Sequence, residues 1–167
     1  MPVPAGRGER LELPPAEQIE ELWGWVYETA REAPFSISSS EAPHYHRYWP
    51  QRKLAEGMTS DQLEQHAWRL GFGVRDGNGM IFVSDQGEVF PAGFMPHPKL
   101  GDVRQQSLSS IYRESPQLQR LRDMDQLGGR CNHCQFRWLC GGSRARAYAV
   151  TGDLMQSDPS CVYDPEV

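Results

Sequence analysis

Cys131, Cys134, Cys140 and Cys161 are the only cysteines in this 167-residue chain, and their spacing, C-x2-C-x5-C-x20-C, constrains its fold more than any other feature. Two thiolates separated by two residues grip one metal centre from a single tight turn. The other two close the shell from a loop and from a distant tail segment. Four thiolates complete a tetrahedral zinc site, and they equally complete a cubane, with one sulfur for each iron. Spacing alone leaves both metals open. Arg130, Arg137, Arg144 and Arg146 lie within six residues of a cysteine. Their charges suit an anionic centre of either kind. His133 sits inside the C-x2-C turn, but with four thiols available it is read as a neighbour of the ligands rather than one of them.

Cysteines serve as ligands where thiols stay reduced, so the cellular address matters. The opening MPVPAGRGERLELPP has no apolar stretch of the kind a signal peptide needs. No run of about 18 apolar residues occurs, so no membrane span is expected. The expected address is the cytoplasm, where two disulfides are disfavoured. A formal charge of -5 and a pI near 5.5 argue against a general nucleic-acid binder. Hydrophobic residues make up 38% and mean hydropathy is -0.64, which limits the core and points to a surface that expects a partner or a neighbouring domain.

The remaining sequence predicts an α+β fold, a β-hairpin plus short helices around the four-cysteine site. Residues 1–14 read as a flexible lead-in. From Ala16, the recurrence of Ile19, Leu22, Trp23, Val26 and Ala30 predicts a helix with those residues on one face, ended by Pro34. Residues 35–40 read as a short strand, and 41–53, rich in His and aromatic residues, as irregular. A helix is predicted over 61–70. Met80 to Val83 and Glu88 to Phe90, around the turn Asp85-Gln86-Gly87, read as a hairpin. Ser107 caps a helix to about Glu114, and Ser115-Pro116 starts another. A last helix over 141–150 is ended by Gly152.

Other residues draw attention and are weighed lower. His44 and His46, at the end of the expected strand, are candidates for substrate contact, with packing in a loop as the competing reading. Gly71 to Gly79 lacks the strand-then-helix context of a phosphate loop. Phe136, Trp138 and Tyr148 are expected to pack around the metal and keep it dry. Ser107 has no partnered base and is read as a cap, not a nucleophile.

From about Gly77 to Pro165 the sequence resembles the SPASM domain, the C-terminal auxiliary-cluster domain of radical S-adenosylmethionine enzymes. The resemblance rests on Gly87-Glu-Val-Phe-Pro91, Gly101-Asp-Val-Arg104, residues 107–116, Leu121-Arg122, Gly129-Arg-Cys-Asn-His-Cys134, Cys140-Gly-Gly-Ser-Arg-Ala-Arg-Ala-Tyr148, Thr151-Gly-Asp153 and Asp158-Pro-Ser-Cys161. Residues 16–50, with Glu41-Ala-Pro-His44, resemble the tail of the partial βα barrel that precedes such a domain. The resemblance thus implies a barrel-tail segment over 15–58 and a cluster-binding domain over 59–167.

SPASM domains usually carry seven cysteines for two auxiliary clusters. Here the positions of the first cluster fall on Ala92, on Gln106 and on Ser143 or Arg144, while the four cysteines match the second. The resemblance therefore implies one [4Fe–4S] cluster on Cys131, Cys134, Cys140 and Cys161. It also implies electron relay or structural support in radical-based modification of a substrate. Family substrates span peptide, tetrapyrrole and carbohydrate-like targets. The C-x3-C-x2-C triplet that binds the S-adenosylmethionine-cleaving cluster is lacking, so this chain alone is not expected to be catalytic. Three readings follow: the C-terminal part of a longer oxidoreductase or maturase, the partner of a separate radical-generating subunit, or a remnant. The reading from a different class is a non-catalytic zinc-binding structural or interaction module.

Overall fold

Apolar residues at helical spacing after Pro15 form α1 (Ala16–Glu32) in the computed structural model, which describes residues 3–4, 8, 10–37, 42–70 and 75–165. Glu17 in its first turn and Arg31 in its last complement the helix dipole. Ala33 is extended, as a residue before proline must be, so the helix stops there. Ile19, Trp23 and Val26 are buried as expected, with Tyr27 beside them, whereas Leu22 is 45% exposed and Ala30 also faces solvent. The buried stripe is turned toward α2 (Tyr45–Ala55) by two ring contacts: Trp23 with Tyr45 at 5.5 Å and Tyr27 with Tyr48 at 6.2 Å. The Tyr27 hydroxyl also donates to Glu56, at 2.9 Å.

Two expectations for this region are corrected. Residues 35–37 carry no strand, and Phe35 is 65% exposed; Ser38 to Glu41 lie outside the described residues. The segment expected to be irregular is helical from Tyr45, despite Pro50 inside it. Proline removes one ladder donor, yet the helix keeps its register because Arg47 and Pro50 on its inner face are buried. The helix α3 (Ser60–Leu70) forms as expected and opens on a reciprocal cap: the Gln62 N–H donates to Thr59 Oγ1 and the Thr59 N–H to Gln62 Oε1. Gly71 and Gly73 lie outside the described residues.

Beyond residue 75 the chain is built from short pieces. β1 (Arg75–Asp76) and β2 (Gly79–Met80) pair locally around a turn at Gly77, whose φ of +75° and whose approach to Leu118 leave no room for a side chain. β3 (Phe82–Val83) and β4 (Glu88–Phe90) form the expected antiparallel hairpin, in register Phe82 with Phe90 and Val83 with Val89. β5 (Gly101–Asp102) adds a third antiparallel strand, too short to leave an alternating signature in the sequence.

Ser107 caps α4 (Leu108–Glu114), and Ser115 caps α5 (Pro116–Arg122), which has proline at its start as expected. A single 3-10 turn (Met124–Gln126) leads to α6 (Gly129–His133), and α7 (Arg144–Thr151) is capped by Ser143 and ended by Gly152 in the left-handed region. Gly141 and Gly142, expected within that helix, stand outside it.

Small apolar clusters hold these pieces together. Leu118, Leu121, Met124, Leu127 and Met155 form one; Val3, Ala92, Met95 and Ala145 form another; Ile19, Trp23, Val26 and Ala42 form the third. The fold is thus α+β with small sheets, and among the described residues no closed barrel is present. No helix of the described residues is long and apolar enough to cross a membrane.

Two truncations in α1 separate the buried face from the exposed one. Ile19→Ala should destabilise the chain by about 2–4 kcal/mol in urea unfolding, because it opens a cavity. Leu22→Ala, at a solvent-facing position, should stay below about 1 kcal/mol. Equal losses would contradict the orientation of the helix.

Candidate metal centre

The four cysteines reach one cavity from separate segments. Its wall is formed by Cys131, Cys134, Cys140 and Cys161 together with His44, Arg47 and Asp158. Cys131 and Cys134 sit at the end of α6, which the tail clamps from below. The Gly128 N–H donates to the Met155 carbonyl at 2.6 Å, and the Cys131 N–H to Ser157 Oγ at 3.4 Å. Gly129, at φ +54°, lies against Gln156 and Ser157 so closely that a Cβ would clash at 2.4 Å. Cys140 follows a tight turn in which its N–H donates to the Phe136 carbonyl. Gly141 and Gly142, both at φ +65°, then reverse the chain so that the Gly142 N–H donates to Cys140 Sγ at 3.4 Å. Cys161 is placed by its N–H donating to the Asp158 carbonyl, and Arg130 donates to the Cys161 carbonyl at 3.0 Å.

Asp158 organises the polar side of the cavity. It is fully buried, and its carboxylate accepts from the Ser143 N–H (2.7 Å), Arg146 Nε (2.9 Å), Arg146 Nη2 (2.8 Å) and the Ser160 N–H (3.0 Å). His44 Nε2 stands 2.9 Å from the same carboxylate. Burial alone would raise the Asp158 pKa, but His44 and Arg146 outweigh it and hold the group well below the usual carboxylate range. The start of α7 is thereby fixed at three donors: Ser143 N–H to Asp158, Ala145 N–H to Asp76 and Arg146 N–H to Ser143 Oγ.

The thiols feel both burial and one another. Burial pushes the Cys134, Cys140 and Cys161 thiols up, Cys140 furthest, and the neighbouring cysteines add to the rise. Cationic groups offset this: Arg47 lowers Cys134 and Cys161, and Arg144 Nη2 stands 4.0 Å from Cys131 Sγ. Buried nitrogens without a hydrogen-bond partner among the described residues collect here, namely Arg47 Nε, Arg137 Nε, Arg144 Nε and His44 Nδ1. Four soft sulfur donors facing unspent N–H donors fit an anionic metal–sulfur group. The sulfurs line a cavity rather than converge on a point. Among the described residues, no three His, Cys, Asp or Glu side chains gather closely enough to grip a single ion.

Other expected site residues fall in different places. His133 is exposed and outside the cavity wall. His46 is half-buried and its pKa is lowered, by burial and then by Arg75, but it is not part of the wall. Phe136 is buried, edge-on to Tyr163 at 5.8 Å. Trp138 is half exposed beneath the Arg137 guanidinium, and Tyr148 packs on the Ala92 cluster, so neither shields the sulfurs. Ala92 itself is buried among Val3, Met95 and Ala145, while Gln106 is exposed. Sequence reading missed Arg47 and Asp158. The i, i+3 spacing of His44 and Arg47 was a usable signal once the segment was read as helix.

Residues 75–135 match the SPASM family, described as an iron-sulfur cluster-binding domain. The chain is 36% identical over 165 residues to the AdoMet-dependent heme synthase of Methanosarcina barkeri, covering 98% of this chain and 46% of that protein. Against the AdoMet-dependent heme synthase of Oleidesulfovibrio alaskensis it is 33% identical over 167 residues, covering 98% and 42%. It is 35% identical over 102 residues to the pre-heme d1 synthase of Dinoroseobacter shibae, covering 59% and 25%. The chain thus spans less than half the length of these curated relatives.

Asp158→Asn leaves Arg146 buried without its counter-charge and should destabilise the chain by about 3–5 kcal/mol in urea unfolding. A depressed folded-state pKa contributes stability that is complete above the unfolded value of about 3.9 and lost as pH falls below it. The variant should therefore lose less stability than the wild type between pH 5 and 3, scanned by urea midpoints. An unchanged midpoint at neutral pH would remove Asp158 as the keystone of the site.

Proposed function

Because this chain carries a SPASM domain, the iron–sulfur cluster-binding domain of radical S-adenosylmethionine family proteins, we propose that Cys131, Cys134, Cys140 and Cys161 together hold one [4Fe–4S] cluster. The observation that carries this reading is the arrangement of all four cysteines around one cavity, among buried cationic and backbone donors. A cubane with four protein thiolates has no open iron and supplies one-electron transfer, which favours electron relay over direct ligation of a substrate.

The chain's own residues do the rest. The left-handed pair Gly141-Gly142 brings a backbone N–H to the Cys140 sulfur. Arg144, anchored on the Leu154 and Gln156 carbonyls, carries positive charge beside Cys131. Burial of Cys140 and Phe136 keeps that side of the cavity away from water.

In this reading residues 59–167 are the cluster-binding domain, and 15–58 are the tail of a partial βα barrel that carries α1 and α2. The chain works with a radical-generating portion, in the same polypeptide or in a separate subunit. The relatives matched over nearly the whole chain favour, by their names, a tetrapyrrole substrate for the whole protein over a peptide. A reducing cytoplasm is the compartment in which four such thiols remain ligands.

Anaerobic purification with iron, sulfide and zinc analysis tests the reading. About four irons and four sulfides per chain with a brown colour are expected, and Cys134→Ala should lose them. One zinc per chain and no colour would replace the cluster with a structural zinc module and end the electron-relay role.

A further inference from the structure

Arg47 belongs to α2, outside the 75–135 stretch that matches the cluster-binding family, yet its side chain lines the cysteine cavity. It is only 2% exposed. A guanidinium buried to this degree needs fixed partners, and Arg47 has them on one side. Nη1 donates to Glu20 Oε1 at 2.7 Å and to Gln51 Oε1 at 2.5 Å, and Nη2 pairs with Glu20 Oε2. The Tyr163 ring, two residues beyond Cys161, lies 5.5 Å from the guanidinium carbon. The remaining nitrogen, Nε, is buried and has no hydrogen-bond partner among the described residues. The group is therefore positioned by α1, α2 and the tail, with one donor to spare.

Charge explains what that position can do. A guanidinium stays protonated in proteins, so Arg47 is a permanent cation in the wall of the cavity that the four cysteines line. Its counter-ion Glu20 is 27% exposed, so its field is screened by solvent more than that of Arg47. The other cations are differently engaged: Arg137 shares Asp125 at the surface, Arg144 is held by backbone carbonyls beside Cys131, and Arg146 is held by Asp158.

We propose that Arg47 tunes the reduction potential of the metal–sulfur group in this cavity, a role for the N-terminal helices that rests on the cluster reading above. One-electron reduction makes the group more negative by one charge. A cation fixed nearby in a poorly screened site stabilises the reduced form more than the oxidised form and raises the potential. Glu20 acts with the opposite sign while holding Arg47 in place. The helix pair α1–α2 is thus electrically part of the centre.

The test is a spectroelectrochemical titration of the full chain, reconstituted with iron and sulfide, with iron counted in every sample. Arg47→Gln should shift the one-electron equilibrium about tenfold toward the oxidised form, about 59 mV lower in potential. Arg47→Lys, which keeps the charge, should remain within about threefold of wild type. Glu20→Gln should move the potential upward. Loss of packing predicts instead that both charge-removing variants lose iron together, without opposite shifts. If Arg47→Gln proves unable to hold iron, the Arg47→Lys and Glu20→Gln pair decides. An iron-loaded Arg47→Gln chain with wild-type potential, or a downward shift in Glu20→Gln, overturns the assignment and leaves the cluster intact. A wild-type chain that takes up no iron overturns the cluster reading and this role with it.

Discussion

One buried carboxylate holds the site together. Placing an ionised Asp158 out of solvent is unfavourable by several kcal/mol unless its oxygens are paired and hydrogen-bonded. Here every direction is occupied: Arg146 from α7 grips both oxygens, the Ser143 and Ser160 N–H groups donate, and His44 approaches from the N-terminal half. These contacts come from three regions remote in sequence. Satisfying the charge therefore fixes the start of α7 after Gly141-Gly142, the tail that carries Cys161, and the mouth of α2. Removing any one partner would leave the buried charge less compensated, so these segments are energetically coupled through Asp158.

That dependence shapes how the chain divides its stabilising terms. The apolar clusters are small, and two of them are closed by residues from the tail or from α7: Met155 in one, Ala145 in the other. The polar network and the cysteine segments lie between them. Metal–thiolate bonds formed here would act on the same elements that the clusters and Asp158 order, so binding and folding are linked through shared segments. The raised thiol pKa values point the same way, since burial that favours the neutral thiol is overcome only by a bound metal or a nearby cation.

Much of this was legible in the sequence, and the exceptions have physical causes. The cysteine spacing, the caps at Ser107 and Ser115, the hairpin around Gly87 and the stop at Gly152 are local chemistry, and local chemistry reads out directly. The helix α2 was missed because periodicity analysis looks for buried apolar residues, and the buried residues of this segment are His44, Arg47 and Pro50. The burial of Tyr27 in place of Leu22 was missed for a related reason. Amphipathic spacing defines a broad stripe, and the edge chosen for burial depends on the partner helix, here through Tyr45 and Tyr48. Asp158 was quoted only as part of a motif, because its partners arrive through tertiary structure.

The two stations at which the family resemblance places clusters differ in their packing. At the first, Ala92 is buried in an apolar cluster with Val3, Met95 and Ala145, and Ser143 serves as a helix cap. The neighbours of Ala92 are apolar and the Ser143 hydroxyl is satisfied at the helix start, so neither position leaves a buried charge that needs a counter-ion. The second station differs in this respect. Its wall carries His44, Arg47, Arg137 and Asp158, and some of their buried nitrogens lack hydrogen-bond partners among the described residues. Apolar filling would leave those donors and charges without an acceptor, at about 1–3 kcal/mol for each neutral group and more for each charge. A cavity walled by buried cations suits an anionic occupant, and four cysteine sulfurs line the same cavity.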